Sequence, residues 1–366
     1  MPFTELDRRR LRFKGLAERT NRVGIEQAQV TLRDELKPLP ETVREEIEHA
    51  AEDIRAARSS EKSVMLAFGA HAIKNGLAPL LIHLIEHSWV NHLATNGAGI
   101  IHDWEFAYQG ASSESVQENI QRGQFGLWEE TGLYLNLAQL VGAYRGLGYG
   151  ESVGSLVHHD GLQIPTREEL LERAGAAEQN PEAAAAAADL LLALRGPDIS
   201  AGFLQVPHPY KRYGLQAAAF RLNTPYTGHP MFGHDIIYTH PLSCGAAIGR
   251  TAQRDFLAFA HNVSKLDGGV YLSVGSAVMS PMIFEKSLSM ARNLALQQGR
   301  RIENFSIYVV DLVECDWDWS RGEPPADDPA YYLRFLKTFS RMGGRMHYIR
   351  ADNRDFLLSL CRILTR

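Results

Sequence analysis

Cysteine is scarce in this chain. Cys244, Cys315 and Cys361 are the only three in 366 residues, widely spaced and outside any CxxC pattern. That excludes a disulfide framework and a zinc ribbon. Also missing is an apolar run of the ~18 residues a membrane helix requires. The opening MPFTELDRRRLRFKG has no apolar stretch of the kind a secretory signal carries. The 38 basic residues are scattered and the net charge is −5, so nothing marks nucleic acid as a partner. GxGxxG does not occur, and no histidine spacing matches a zinc signature. What is present is ordinary for a globular protein: 45% hydrophobic and 22% charged residues. A cytoplasmic enzyme or binding protein is expected.

The hydrophobic pattern suggests how the chain is organised. Residues 1–60 read as a polar, helical N-terminal arm, with helical spacing from Glu41 to Arg58. Residues 61–366 read as one domain. Ser63 to Phe68 suits a buried strand, Leu77 to His87 a helix and Val90 to Thr95 a second strand, which together make a βαβ unit. Residues 111–220 read as a helical insertion. Alternation then resumes, with helix over 255–266, strand over 269–274, helix over 281–298, strands over 305–310 and 346–350, and a last helix over 354–364. The predicted fold is α/β, a doubly wound, mostly parallel Rossmann-like sheet with helices on both faces.

Two turns are rich in small residues: Thr95-Asn-Gly-Ala-Gly99 and Gly275-Ser-Ala277. At the carboxyl end of a parallel strand such turns let a phosphate approach the backbone and the next helix's free N–H groups. They serve equally well where a helix packs closely on a strand. A second anomaly is acidic and aromatic together: Glu314-Cys-Asp-Trp-Asp-Trp-Ser320, then Asp327-Asp328 and Tyr331-Tyr332. Carboxylates and aromatic faces both attract an ammonium, although a solvated acidic loop with packed tryptophans has the same composition. His229, His234 and Asp235 form a third group in a Gly/Pro-rich loop.

Several of these segments together resemble deoxyhypusine synthase, from about residue 63 to the C-terminus with interruptions in 111–220. Thr95 to Asp103 (TNGAGIIHD) looks like that family's strand-turn segment, and Val274-Gly-Ser-Ala-Val278 is similar to its glycine-rich nicotinamide turn. Glu314-Cys-Asp316 lines up with a stretch of its polyamine pocket, and Ala351-Asp352 matches a pair that contacts the dinucleotide. The resemblance implies an NAD-binding fold, a homotetramer with sites at subunit interfaces, and oxidation of a polyamine followed by aminoalkyl transfer through a lysine. The departures fall on the transfer machinery. The lysine's place falls near Arg334, and arginine stays protonated and cannot be the nucleophile. Lys337 could replace it only in another register. The family's histidine falls near Pro281, and its acidic pair becomes Ile101-His102 with Asp103 retained.

Three readings stay open. The first is an NAD-dependent enzyme, a transferase or oxidoreductase acting on a polyamine or other cationic amine. In it Thr95, Asn96, Gly97, Gly99, Gly275, Ser276 and Asp352 line the dinucleotide, and Asp316, Asp318 and Asp328 hold the amine. His102, His234 or Lys337 carries the chemistry, and no metal takes part. The second is a dinucleotide-binding protein of the same fold without catalysis. The third is a metal-assisted hydrolase built on His229, His234 and Asp235.

Overall fold

The computed structural model describes residues 3–196 and 198–366. Six strands form its central sheet: β1 (Val64–Phe68), β2 (His92–Asn96), β3 (Tyr226–His229), β4 (Val270–Val274), β5 (Ser306–Asp311) and β6 (Arg345–Arg350). Five helices bear on the site: α1 (Glu41–Ser59), α2 (Gly97–Gln109), α3 (Gly245–Val263), α4 (Met279–Gln297) and α5 (Asn353–Thr365). Every pairing in the sheet is parallel, and the strands lie in the order β3-β2-β1-β4-β5-β6. This is the doubly wound, Rossmann-like arrangement expected from the sequence.

The strands form because each is a short apolar run with both faces covered. All five residues of β1 and all five of β4 are buried. Alternate side chains feed two separate cores. Val64, Leu66 and Phe68 face one layer, with Ile47 and Ile54 of α1 and Phe356 and Leu360 of α5. Met65 and Ala67 face the other, with Phe259 of α3 and Phe284 and Leu288 of α4. Helix α1, within the polar first sixty residues, buries Ile47, Ala50, Ala51, Ile54 and Ala57 at helical spacing.

Between β2 and β3 the chain inserts a helical body. It includes Glu129–Arg145, Tyr149–His159 and Pro181–Ala193, with an antiparallel pair, Gly161–Ile164 and Gly202–Gln205. The N-terminal segment is tied to this side of the molecule, where Val23–Gly24 pairs antiparallel with Ala111–Ser112.

The strand order reverses at the β1/β4 pair, where Val64 is in register with Val270. Ligands of open parallel sheets bind at the carboxyl ends of the strands flanking such a reversal. Two glycines stand there. A Cβ on Gly69, just past β1, would lie 2.1 Å from the carbonyl oxygen of Gly275, just past β4. Gly275 itself is left-handed, at φ 58°, and a Cβ there would lie 2.3 Å from Asn353 Nδ2 at the start of α5. No helix among the described residues is long and apolar enough to cross a membrane.

Candidate active site at the carboxyl edge of the sheet

Helix α2 leaves β2 through Asn96, whose side chain accepts a hydrogen bond from Gly99 N at 2.9 Å and so caps the helix. It ends at Gly110, left-handed at φ 71°. Beside its first turns is a cavity of 210 Å³ lined by Arg19, Lys74, Ala98, His102, Glu105, Ser113, Glu114, His234 and Asp235, among others. Two of the three residues expected to carry chemistry, His102 and His234, therefore meet at one cavity although they lie far apart in sequence.

The electrostatics of this cavity begin with a buried ion pair. Arg19 donates twice to Glu105, at 2.7 Å to each carboxylate oxygen, and both side chains are almost fully buried. Arg19 and its neighbours hold Glu105 below the ordinary carboxylate range despite its burial, which by itself pushes the group up. Ser112 Oγ donates to Glu105 Oε2 at 2.5 Å and lies 2.7 Å from His102 Nδ1. Because the hydroxyl has one proton and gives it to Glu105, the imidazole must donate at Nδ1. Its Nε2 is then the lone-pair nitrogen. Burial holds His102 below its ordinary value, so at neutral pH the ring is uncharged and able to accept a proton.

The lining also carries both signs of charge. Lys74 stands on the short helix Ala70–Lys74 after β1 and has no ion-pair partner among the described residues. Asp235 lies against the amino end of α2, where a Cβ on Gly97 would come within 2.3 Å of its Oδ2. Burial raises Asp235 to about 6. Ser113 lines the same space, left-handed at φ 70°, with a buried hydroxyl that has no hydrogen-bond partner among the described residues. Strain and an unpartnered polar group at one residue are features of ligand sites.

The expected dinucleotide residues divide into two sets. Gly275, Ser276 and Asp352 gather at the switch point, Asp352 capping α5 by accepting from Arg354 N at 2.8 Å. Thr95, Asn96, Gly97 and Gly99 gather at the start of α2, but their side chains or the space above them are already used. The Thr95 hydroxyl is buried and donates to Phe68 O at 3.0 Å, and a Cβ on Gly99 would strike that same hydroxyl at 2.3 Å. The anion at the amino end of α2 is thus the protein's own Asp235.

The amine-binding residues stand apart from His102. Asp316 and Asp328 line a second cavity, of 360 Å³, with Glu314 and Trp317. Asp318 does not line it. That carboxylate accepts from Ser320 N at 3.0 Å and caps a short turn. The aromatic faces nearby are served from within the protein: Arg321 lies 5.2 Å from the Trp317 ring centroid and Lys337 Nζ 3.4 Å from that of Tyr331. Lys337 lines neither this cavity nor the one at His102. Arg334 lines a third, of 510 Å³, with Ala277, Val278, Met231 and Met282 beside the second turn.

The hydrolase reading needs correction. His229 is turned into the protein, with Nε2 3.0 Å from Thr227 Oγ1, and burial drives it down to about 3. It belongs to the third cavity, whereas His234 and Asp235 belong to the first. Among the described residues no set of three metal-ligating groups includes any of them. Asp103, the retained acid, is also structural. It accepts from Leu215 N and Gln216 N, at 2.9 Å each, and caps the helix Leu215–Arg221 from inside. Glu105, two residues on, is the carboxylate that serves the cavity.

Fold and site together define a doubly wound α/β protein with three cavities at the carboxyl edge of its sheet. No family model matches the chain, and no curated protein does. Solved structures that align with the chain include ArgZ, an arginine dihydrolase from cyanobacteria, at 15% identity and TM-score 0.45 over 90% of this chain. A LOR/SDH protein from Methanococcus maripaludis S2 is 11% identical, with TM-score 0.43 over 92% of this chain and 70% of its own. AgrE in complex with ornithine and NAD+ is 14% identical, with TM-score 0.45 over 90% of this chain. The chain spans 32% of the length of ArgZ and 34% of that of AgrE.

Proposed function

We propose that this chain is an NAD-dependent enzyme that oxidises a small amine, with the dinucleotide at the β1/β4 switch point and the amine in the cavity at His102. The observation that carries this reading is the His102–Ser112–Glu105–Arg19 chain, which fixes a neutral imidazole with a free Nε2 at a cavity bordering the sheet's carboxyl edge. NAD, when bound, would supply the hydride acceptor. Of the chain's own groups, Gly275, Ser276 and Asp352 would hold the dinucleotide. Asp235 would pair with the ammonium, and His102 would take the proton the amine gives up on oxidation. Lys74 offers a cation to any anionic group on the substrate. Aminoalkyl transfer to a protein lysine is not part of the proposal, because Arg334 stands where the family resemblance would need a lysine.

Calorimetric titration with NAD, alone and with spermidine or a basic amino acid, tests the reading. The first probe is a pure cation; the second also offers a carboxylate to Lys74. NAD binding that tightens with either probe, followed by NAD reduction, is the expected result. An absence of NAD binding would sink it. The cavity lined by Asp316 and Asp328 favours a second position for the amine, and variants decide between the two. Asp235→Asn should weaken the amine by about 1.5–3 kcal/mol, the range for hydrogen bonds to charged groups, with Asp316→Asn close to wild type. The reverse order would move the amine to the acidic loop.

A further inference from the structure

We propose that Glu46, His49 and His347 bind a divalent first-row transition-metal ion of the zinc class, on the α1 face of the sheet. Glu46 and His49 stand one turn apart on α1, and His347 projects from β6. One donor atom from each lies within 4.8 Å of the other two. Nothing in the sequence joins them, since 301 residues separate Glu46 from His347. The fold makes the cluster by laying α1 across the β5–β6 edge.

The surroundings are those of a built site. His347 Nδ1 lies 2.9 Å from Glu46 Oε2, while its Nε2 is buried with no partner among the described residues. The Tyr308 ring stacks on that imidazole at 4.7 Å and the His49 ring meets it edge-on at 4.9 Å, so its orientation is set by packing. Asp53 Oδ1 lies 4.0 Å from His49 Nε2, and Asp53 Oδ2 accepts from Tyr308 Oη at 2.8 Å. Asp53 thus places a further negative charge near the cluster while its hydrogen bonds go to Tyr308 and Ser306.

Two imidazoles and a carboxylate match zinc and its neighbours, whereas magnesium and calcium take oxygen donors. Three protein ligands leave a position for water. Glu46 and His49 are 40% and 44% exposed, which opens a path for the ion. An ion about 2.0 Å from each donor would part Glu46 and His347 by a few tenths of an ångström. It would also clasp α1 to the edge of the sheet, so binding should raise the melting temperature.

The test is titration of chelator-treated full-length protein with zinc chloride by calorimetry, with melting curves alongside. One equivalent should bind and raise Tm, and cobalt should give the absorption of a low-symmetry site. His49→Ala and Glu46→Gln, each removing one ligand from α1, should abolish that equivalent and with it the rise in Tm that zinc brings. Failure to bind one equivalent, or unchanged binding in both ligand variants, would show that the three residues only bond to one another.

Discussion

At the scale of single residues, the cavity depends on where one proton sits. Ser112 commits its hydroxyl to Glu105, and this fixes the tautomer of His102. Replacing His102 by Gln should therefore abolish turnover of whichever amine reduces NAD, with NAD affinity held within about twofold. Ser112→Ala should leave the histidine in place but shift the pH–rate profile, since the tautomer is no longer imposed. Arg19→Ala should cost stability as well, because it strands a buried Glu105. Breaking one side of such a pair costs about 3–5 kcal/mol, readable as a lower urea midpoint. The sequence singled out His102 and His234 because an imidazole ordinarily titrates close to working pH and so suits proton transfer. Arg19, Lys74 and Glu105 gave no such signal. Arg19 and Glu105 are 86 residues apart, and their pairing exists only once the N-terminal segment lies along Ala111–Ser112.

Among the elements, the glycine turns are where local chemistry and site geometry meet. Gly275→Ala must hold an alanine at φ 58° and press its Cβ toward Asn353. It should cost about 1–2 kcal/mol for the left-handed conformation and weaken NAD binding, as denaturation and calorimetry would show. Most strands and the helices around them were legible as apolar runs and helical spacing, since a parallel strand buried on both faces reads as an unbroken hydrophobic stretch. β3 was not. Tyr226-Thr-Gly-His229 has a glycine inside it and lies between Pro225 and Pro230, so it reads as a loop. It is a strand because β2 offers it an edge. The acidic-aromatic loop was legible only in composition: that Asp318 caps a turn while Asp316 and Asp328 share a cavity depends on backbone geometry.

For the molecule as a whole, buried carboxylates tie stability to pH. Asp255 is enclosed between the insertion and the sheet, accepting from Gly150 N at 2.9 Å and Gly228 N at 2.6 Å. Burial pushes it up to about 7. The folded chain then holds this proton more tightly than the unfolded chain, whose aspartate titrates near 3.9. Its contribution is fully present below that value and is lost as pH rises through about 7. Asp255→Asn should flatten this part of the profile, measured as the difference in unfolding free energy between pH 5 and pH 8. If the slope were unchanged, Asp255 would be ionised throughout, held by its two amide donors.

The seam between β1 and β4 has a consequence for synthesis. Val64 leaves the ribosome long before Val270, its direct neighbour in the sheet, so for most of translation β1 has one side unpaired. Until β4 arrives, that side is a bare row of amides and carbonyls on an apolar strand, the kind of edge other chains can add to. The crevice that defines the site is therefore among the last features of the nascent protein to exist. Truncated chains ending before residue 270 should aggregate rather than accumulate as soluble halves.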